Sequence, residues 1–435
     1  MADDTIFALS TGSGASGIAI IRVSGRQSCR ALLALCGDLP PPRHAALRTI
    51  RDPADGHEID SGVILFFPGP ASFTGEDLVE FQVHGSIAVV RHLMRCLSEL
   101  GLRAAEAGEF SQRAFFHGKM DLVDIEALGD LLRAETEAQA RLSQVYRRNL
   151  QTSAKVWRQA LVDISALTEA YIDFSDEGDV AASVDSQTEQ EIRALAVDIE
   201  RALSTLDQGE RIRRGCRIVI AGPPNAGKSS LINALAARDV AITSPIPGTT
   251  RDTIEVHLDL KGFPVVLIDT AGLRESVDPI ENLGIQRALS AAASADLVLW
   301  LSPSDHLTTP AIDGALIVQT KIDLIDSLPE HNKNHLAVST TTGRGLEDLI
   351  EVLGRHARSV LERGADNVLV AHERQASELR HAAGALYRAL AVSSEALEIR
   401  AEELRIVGRY LDRLTGRIEY DEVLGTIFSR FCIGK

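Results

Sequence analysis

The sequence predicts a multi-domain protein, part α/β and part all-α, in which a P-loop α/β domain is inserted into a helical domain. Two observations frame this. Of the 15 prolines in 435 residues, six lie between Pro40 and Pro70 and nine between Pro223 and Pro329. The stretches 71–222 and 330–435 hold none, and because proline breaks a helix interior at ~3 kcal/mol, they permit long helices. Between the two helical blocks, residues 215–361 alternate strands with helices and open on a glycine-rich loop of the phosphate-binding type.

The elements follow in order. Residues 1–118 form a small α/β domain: β-branched runs at Ile18 to Val23, Gly62 to Phe67 and Leu78 to Val83, and a helix from Ile87 to Leu100. From Leu122 to Phe174 the spacing of Leu128, Leu131, Leu132, Leu142 and Val145 is helical. A further helix runs from Thr188 to Leu206. Residues 366–432 are helical again, including Glu395 to Leu414 and Tyr420 to Phe431. The division expected is 1–118, 119–214, 215–361 and 362–435, the second and fourth segments forming one split helical domain. Such insertions succeed where the host's chain ends lie close together at a surface.

Composition narrows the function. A formal charge of −16 excludes a self-sufficient nucleic-acid grip, since phosphate binding needs clustered Lys and Arg. The five cysteines, Cys29, Cys36, Cys96, Cys216 and Cys432, are scattered, with neither a disulfide framework nor zinc spacing, and fit a reducing compartment. None of the 12 histidines forms an i, i+4 or metal-like cluster. The start MADDTIFALS has no signal character, and no apolar run nears the ~20 residues that cross a bilayer. A cytoplasmic protein without membrane contact is expected.

The chemistry sits in the inserted segment. Strand Arg217 to Ala221 leads into Gly222-Pro223-Pro224-Asn225-Ala226-Gly227-Lys228-Ser229-Ser230 and then a helix, Leu231 to Ala237. Strand, G-x-x-x-x-G-K-S, helix is the context that turns a phosphate-loop pattern into a site. Backbone N–H groups form a nest, the helix N-terminus adds positive dipole, Lys228 reaches the terminal phosphates and the Ser229 hydroxyl ligates Mg²⁺. Strand Val265 to Ile268 ends in Asp269-Thr270-Ala271-Gly272, where Asp269 holds Mg²⁺ through water and Gly272 donates its N–H to the γ-phosphate. In Ser244-Pro245-Ile246-Pro247-Gly248-Thr249-Thr250, Thr250 is the candidate second hydroxyl on Mg²⁺. Strand Ala315 to Gln319 runs into Thr320-Lys321-Ile322-Asp323, whose carboxylate can accept both N–H groups of a guanine edge; adenine offers no such pair. Four motifs in order at element ends predict a Ras-like domain that binds and hydrolyses GTP.

Two departures stand out. Thr320 occupies a position where Asn is usual, which predicts guanine binding weaker by about 1 kcal/mol, and Ser339-Thr340 stands where Ser-Ala is usual. Only Pro303 to Gly314 separates strand Leu297–Leu301 from the next strand, so one side of the domain is expected to be trimmed. Gly12 to Gly17 reads G-x-G-x-x-G but precedes a strand rather than a helix, and so is a loop.

GPPNAGKSS, GTTRD, DTAGLRE and the terminal Phe431-Cys432-Ile433-Gly434-Lys435 together resemble the MnmE (TrmE) family of tRNA-modification GTPases. So do Arg22 in IIRVSG, SFTGEDLVEFQ (Ser72–Gln82), GEFSQRAF (Gly108–Phe115) and KMDL (Lys119–Leu122). The resemblance spans the chain. It implies an N-terminal α/β domain that binds a tetrahydrofolate one-carbon derivative and joins a homodimer. It also implies a partner flavoprotein of the MnmG (GidA) type and an aminomethyl-type group, such as carboxymethylaminomethyl, built on the wobble uridine of certain tRNAs. Arg22, Glu80, Lys119 and Lys435 would surround the folate. Taken singly, each reads as a solvated surface charge. Cys432 is either a thiol near the transferred carbon or a buried inert cysteine. The family is similar to GTPases that use K⁺ in place of an arginine finger; Asn225, the carbonyls of Ser244 and Ile246, and Thr249 would hold it. Leu273 cannot orient water, and the resemblance gives that task to Glu281, whose other reading is a helix-start carboxylate. A ribosome-assembly GTPase is the rival reading, but residues 119–213 carry 11 basic and 19 acidic residues rather than a basic RNA-binding appendage. A switch that only binds partners is the third.

Overall fold

The computed structural model describes residues 4–173, 178–238, 240–242, 255–269, 295–304, 313–325, 335–393, 396–416 and 434. The chain divides into two units, residues 1–129 with 412–435 and residues 130–411.

In the first unit, β1 (Ile6–Leu9), β2 (Ser16–Ser24), α1 (Ser28–Cys36), β3 (Ala46–Arg51), β4 (Glu58–Phe67), β5 (Leu78–Gly85), α2 (Ile87–Glu99) and β6 (Arg103–Ala104) precede α3 (Glu109–Phe116) and α4 (Leu122–Arg133). Six strands pair in the order β3-β4-β5-β2-β1-β6, antiparallel except β1 with β6. The two-residue period of strands sorts the faces. Ala19, Ile21 and Val23 of β2 and Val79, Phe81 and Val83 of β5 are buried with Leu32 and Leu35 of α1 and Leu93 and Leu97 of α2. The opposite parity turns Arg22 and Glu80 to the other face, directly across from each other in the β2–β5 register. Three short strands, β1, β3 and β6, join the three expected from β-branched runs. The Gly12–Gly17 loop lies between β1 and β2, as its order in the sequence requires.

The second unit contains α5 (Glu137–Asp173), α6 (Gly178–Leu203) and α7 (Leu206–Arg214), followed by a second sheet and its helices. The helical region expected from Leu122 to Phe174 consists of two helices, α4 and α5. Thr136 and Gln139 form a capping box: the Gln139 side-chain oxygen accepts the Thr136 N–H at 3.2 Å, and Thr136 Oγ1 accepts the Gln139 N–H at 3.4 Å. This satisfies donors that a helix start leaves unpaired and ends α4 just upstream.

The second sheet is built from β7 (Cys216–Ala221), α8 (Lys228–Ala236), β8 (Glu255–Leu260), β9 (Phe263–Asp269), β10 (Leu297–Pro303), β11 (Leu316–Thr320), β12 (His335–Ala337) and α9 (Leu346–Leu361). Its order is β12-β11-β10-β7-β9-β8, all parallel except β8, which pairs antiparallel with β9. β8 was not anticipated, although Val256, Leu258 and Leu260 alternate in the manner of a half-buried strand. Of the connection expected to be trimmed, Pro303 to Gly314, residues 305–312 lie outside the described residues. After α9, residues 368–372 are extended rather than helical, and α10 (Glu373–Ala391) and α11 (Leu397–Thr415) complete the chain's described helices. The helix expected at Tyr420–Phe431 lies outside the described residues. No helix among the described residues is long and apolar enough to cross a membrane.

Candidate nucleotide site

The loops after β7, β9, β11 and β12 all leave the carboxyl ends of parallel strands, where open α/β sheets bind ligands. After β7, Gly222 turns at φ 147°, so close beneath β10 that a Cβ would fall 2.5 Å from the Leu301 carbonyl oxygen. Asn225 sits in the left-handed region at φ 61°, exposed, and Gly227 at φ 90° is the N-cap just before α8. The Lys228 ammonium donates to the carbonyl oxygens of Gly222 and Pro223, both at 2.9 Å. It is thereby held over the loop, where phosphate oxygens can replace those carbonyls. Ala226 is buried, whereas Ser229 and Ser230 in the first turn of α8 are exposed.

Ser229 Oγ donates to Asp269 Oδ2 at 3.3 Å. Asp269 is buried at the end of β9. A hydroxyl in the first turn of α8 and a carboxylate at the end of β9 are the oxygen ligands a hard divalent cation takes.

On the base side, Lys321 at φ 59° turns β11 into the short 3₁₀ segment Ile322–Leu324, which carries Asp323. Ser339, fully buried after β12, donates its hydroxyl to Asp323 Oδ1 at 2.6 Å. The same hydroxyl oxygen accepts the Thr342 N–H at 3.2 Å. One carboxylate oxygen is therefore fixed, and the group is oriented before any base arrives. Thr340 follows, partly buried. Gly345 allows this loop to close: a Cβ there would lie 2.0 Å from the Ala337 carbonyl oxygen.

Thr320 has a role that the sequence did not reveal. Its side chain is buried, and Oγ1 donates to the Ala226 carbonyl at 2.8 Å. Beyond the weaker base contact expected of it, Thr320 thus ties the loop after β11 to the loop after β7. The available signal was a polar β-branched residue ending a buried strand.

Of the remaining expected site residues, Ser244, Pro245, Ile246, Pro247, Gly248, Thr249, Thr250, Thr270, Ala271, Gly272, Glu281, Cys432 and Lys435 lie outside the described residues. In the first unit, Arg22 Nε and Nη2 both donate to Glu80 Oε1, at 3.1 and 2.8 Å. The guanidinium also lies over the Phe73 and Phe110 rings, 5.5 and 5.9 Å from their centroids. Lys119 is exposed just beyond α3. Gly434 is buried beside β1 at φ 97°; its carbonyl accepts the Ser10 hydroxyl at 3.0 Å, and a Cβ on it would lie 2.2 Å from the Leu9 carbonyl oxygen.

The structure corrects one expectation. His92 does belong to a metal-like cluster, because folding brings Asp52 from the end of β3 beside His92 and Cys96, one turn apart on α2. His92 and Cys96 carry the i, i+4 spacing of one helical turn, but Asp52, 40 positions before His92, shows no spacing signal.

Comparison with known proteins places these elements. The family model described as the MnmE helical domain matches residues 122–432, and the one described as the GTP-binding protein TrmE N-terminus matches residues 5–119. The chain is 48% identical over 442 residues to the tRNA modification GTPase MnmE of Rhodopseudomonas palustris, covering 100% of this chain and 99% of the relative. It is 47% identical over 442 residues to that of Rhizobium meliloti, covering 100% of both. The G domain of the T. maritima FeoB iron transporter is 26% identical with a TM-score of 0.25, over 33% of this chain and 98% of that one. With both family models matched in sequence order and identity extending over the full length of its relatives, this chain belongs to the MnmE family of tRNA modification GTPases.

Proposed function

We propose that this chain hydrolyses GTP to GDP and phosphate to drive a folate-dependent modification of tRNA wobble uridine, carried out with a MnmG (GidA)-type flavoprotein. In this reading residues 215–361 are the GTPase domain and residues 119–214 with 362–435 the split helical domain. Residues 1–118 bind the folate derivative and join the homodimer, in the cytoplasm. The observation that carries it is the convergence of Lys228, the Ser229–Asp269 pair and the Ser339-held Asp323 along one sheet edge, in a chain of this family.

The roles follow from those positions. Asp323 accepts the two guanine N–H groups. The loop N–H groups of Asn225 to Ser230 and the Lys228 ammonium neutralise the phosphates, and Gly272 donates its N–H to the terminal one. Residues 244–250 and 270–272 would contribute contacts to the nucleotide, with Thr340 on the base side. Glu281 holds the attacking water, directly or through a second water. Ser229 and Thr250 would hold Mg²⁺, with Asp269 reaching it through water, and the ion would offset the phosphate charge. Asn225, whose side chain makes no hydrogen bond among the described residues, would hold K⁺ with Thr249 and the carbonyls of Ser244 and Ile246. That cation would supply the positive charge of an arginine finger. On the N-terminal domain both Arg22 bonds fall on Glu80 Oε1, which leaves Oε2 for a pterin N–H. Lys119 and Lys435 would meet the folate's acidic tail, with Cys432 near the transferred carbon.

The test is GTP turnover in K⁺ against Na⁺, with and without the flavoprotein. Hydrolysis at least ~10-fold faster in K⁺ is expected, ~1.4 kcal/mol of barrier. Equal rates in the two salts would refute the cation assignment.

A further inference from the structure

The first unit holds a second set of chemically active side chains, away from the Arg22–Glu80 face. Asp52 opens the turn between β3 and β4, and its carboxylate is fixed from one side: Oδ1 accepts the Ala54 N–H at 2.9 Å. Oδ2 points at α2, where His92 Nε2 lies 2.7 Å away. Cys96 stands one helical turn beyond His92, on the same side of the helix, and is 1% exposed. One ligand atom from each of the three lies within 4.8 Å of the other two.

Oxygen, imidazole nitrogen and sulfur in one such cluster are the donor set of a borderline divalent cation, with Zn–S near 2.3 Å and Zn–N and Zn–O near 2.0–2.2 Å. We propose that Asp52, His92 and Cys96 form a three-ligand site for a zinc-class divalent cation, with water as the fourth ligand on the exposed side of His92. Three features fit the assignment. The His92 ring is partly exposed, which gives the ion a way in, while the thiol and carboxylate are buried. Two ligands come from a single helical turn and the third from a strand end held by a backbone N–H, so the cluster is largely preformed. The competing cation, Arg95, is 3.4 Å from Asp52 Oδ2 but is mostly exposed and also reaches Glu99 at 3.7 Å, so it can leave.

Binding balances simply. The ion exchanges waters for Asp52, neutral His92 and the Cys96 thiolate; the thiol proton is released to solvent, as thiolate coordination requires, and the Nε2 proton that faces Asp52 is exchanged through solvent to Nδ1, so the neutral ring offers Nε2 to the ion. The His92–Asp52 hydrogen bond is exchanged for two bonds to the ion. The site would pin α2 to the β3 hairpin; it requires no nucleotide and no partner.

Co²⁺ is the probe, titrated into the full chain under reducing conditions. Expected are one equivalent bound, a sulfur-to-cobalt charge-transfer band that Zn²⁺ displaces, and loss of that band in Cys96→Ser. His92→Gln, at a partly exposed position and with its folding checked by thermal unfolding, should weaken Co²⁺ binding at least ~10-fold, the lower end of what even outer-shell losses cost. Absence of the band in the native chain overturns the proposal. So does a band that persists in Cys96→Ser, which would place the sulfur on another cysteine, or native affinity in His92→Gln.

Discussion

Replacing Thr320 by Val tests whether the base and phosphate loops are tied through one hydroxyl. The change swaps a hydroxyl for a methyl of similar volume, so packing around this buried position is retained while the 2.8 Å bond to the Ala226 carbonyl is lost. A net hydrogen bond contributes about 1 kcal/mol, and a buried acceptor left without its partner costs about 1–3 kcal/mol. Ala226 is itself fully buried, which places the loss toward the upper end. Nucleotide binding needs both loops at a fixed separation, and without the tie that placement must be re-established when GTP binds. Affinity for GTP should therefore fall by ~5-fold to ~100-fold, with turnover at saturation changed by less than about twofold. Equilibrium binding of a fluorescent GTP analogue, with thermal unfolding in parallel, measures it. Thr320→Ser keeps the hydroxyl and should recover most of the affinity. If Thr320→Val binds GTP within about twofold of the native chain and melts at the same temperature, the tie contributes nothing and the reasoning fails.

Asp323→Asn should turn preference from guanosine toward xanthosine nucleotides: with Ser339 donating to the remaining oxygen, the new amide nitrogen faces the base as a donor. Competition between GTP and XTP for the variant decides this, and retained GTP preference would remove Asp323 from base reading. Deleting residues 432–435 should abolish folate binding while K⁺-dependent GTP hydrolysis persists. Gly434→Ala, whose Cβ would lie 2.2 Å from the Leu9 carbonyl oxygen, should weaken folate binding in the same direction. Unchanged folate affinity in both would refute the docked tail. Acid should destabilise the first unit. The Arg103 hydrogen bond foremost holds the Asp4 carboxyl below its usual range. For Glu109, burial pushes upward but Arg103, the Glu106 N–H and Arg113 outweigh it. Both folded pKa values lie below the unfolded ones, so this stabilisation is present above about pH 4 and is lost as pH falls through and below that value. Calorimetry of the full chain from pH 6 to pH 3 should show the fall, and Arg103→Met should flatten it; identical profiles would argue against the network.

The order of motifs, the strand-loop-helix setting of the phosphate loop and the split of the helical region were legible in the sequence. Each depends on residues within a few positions of one another, where chain geometry alone fixes who meets whom. Gly222 to Ser230 share one loop and helix start because they are consecutive, and the paired faces of β2 and β5 follow from a two-residue period. The break at Thr136 was also written locally, as Thr-x-x-Gln, but a long run of helical spacing on both sides masked it. What lay beyond the sequence depends on approach across the fold. Thr320 reaches Ala226 from 94 positions away, and its hydroxyl could be assigned a use only once β11 was seen to end beside the loop after β7. Ser339 could be matched to Asp323, and Asp52 to His92 and Cys96, only after strand order was known. A hydrogen bond or a ligand set demands placement within a few tenths of an ångström, whereas periodicity and turn chemistry specify only which element a residue belongs to and which way it faces. The tertiary packing of sheet and helices supplies that placement.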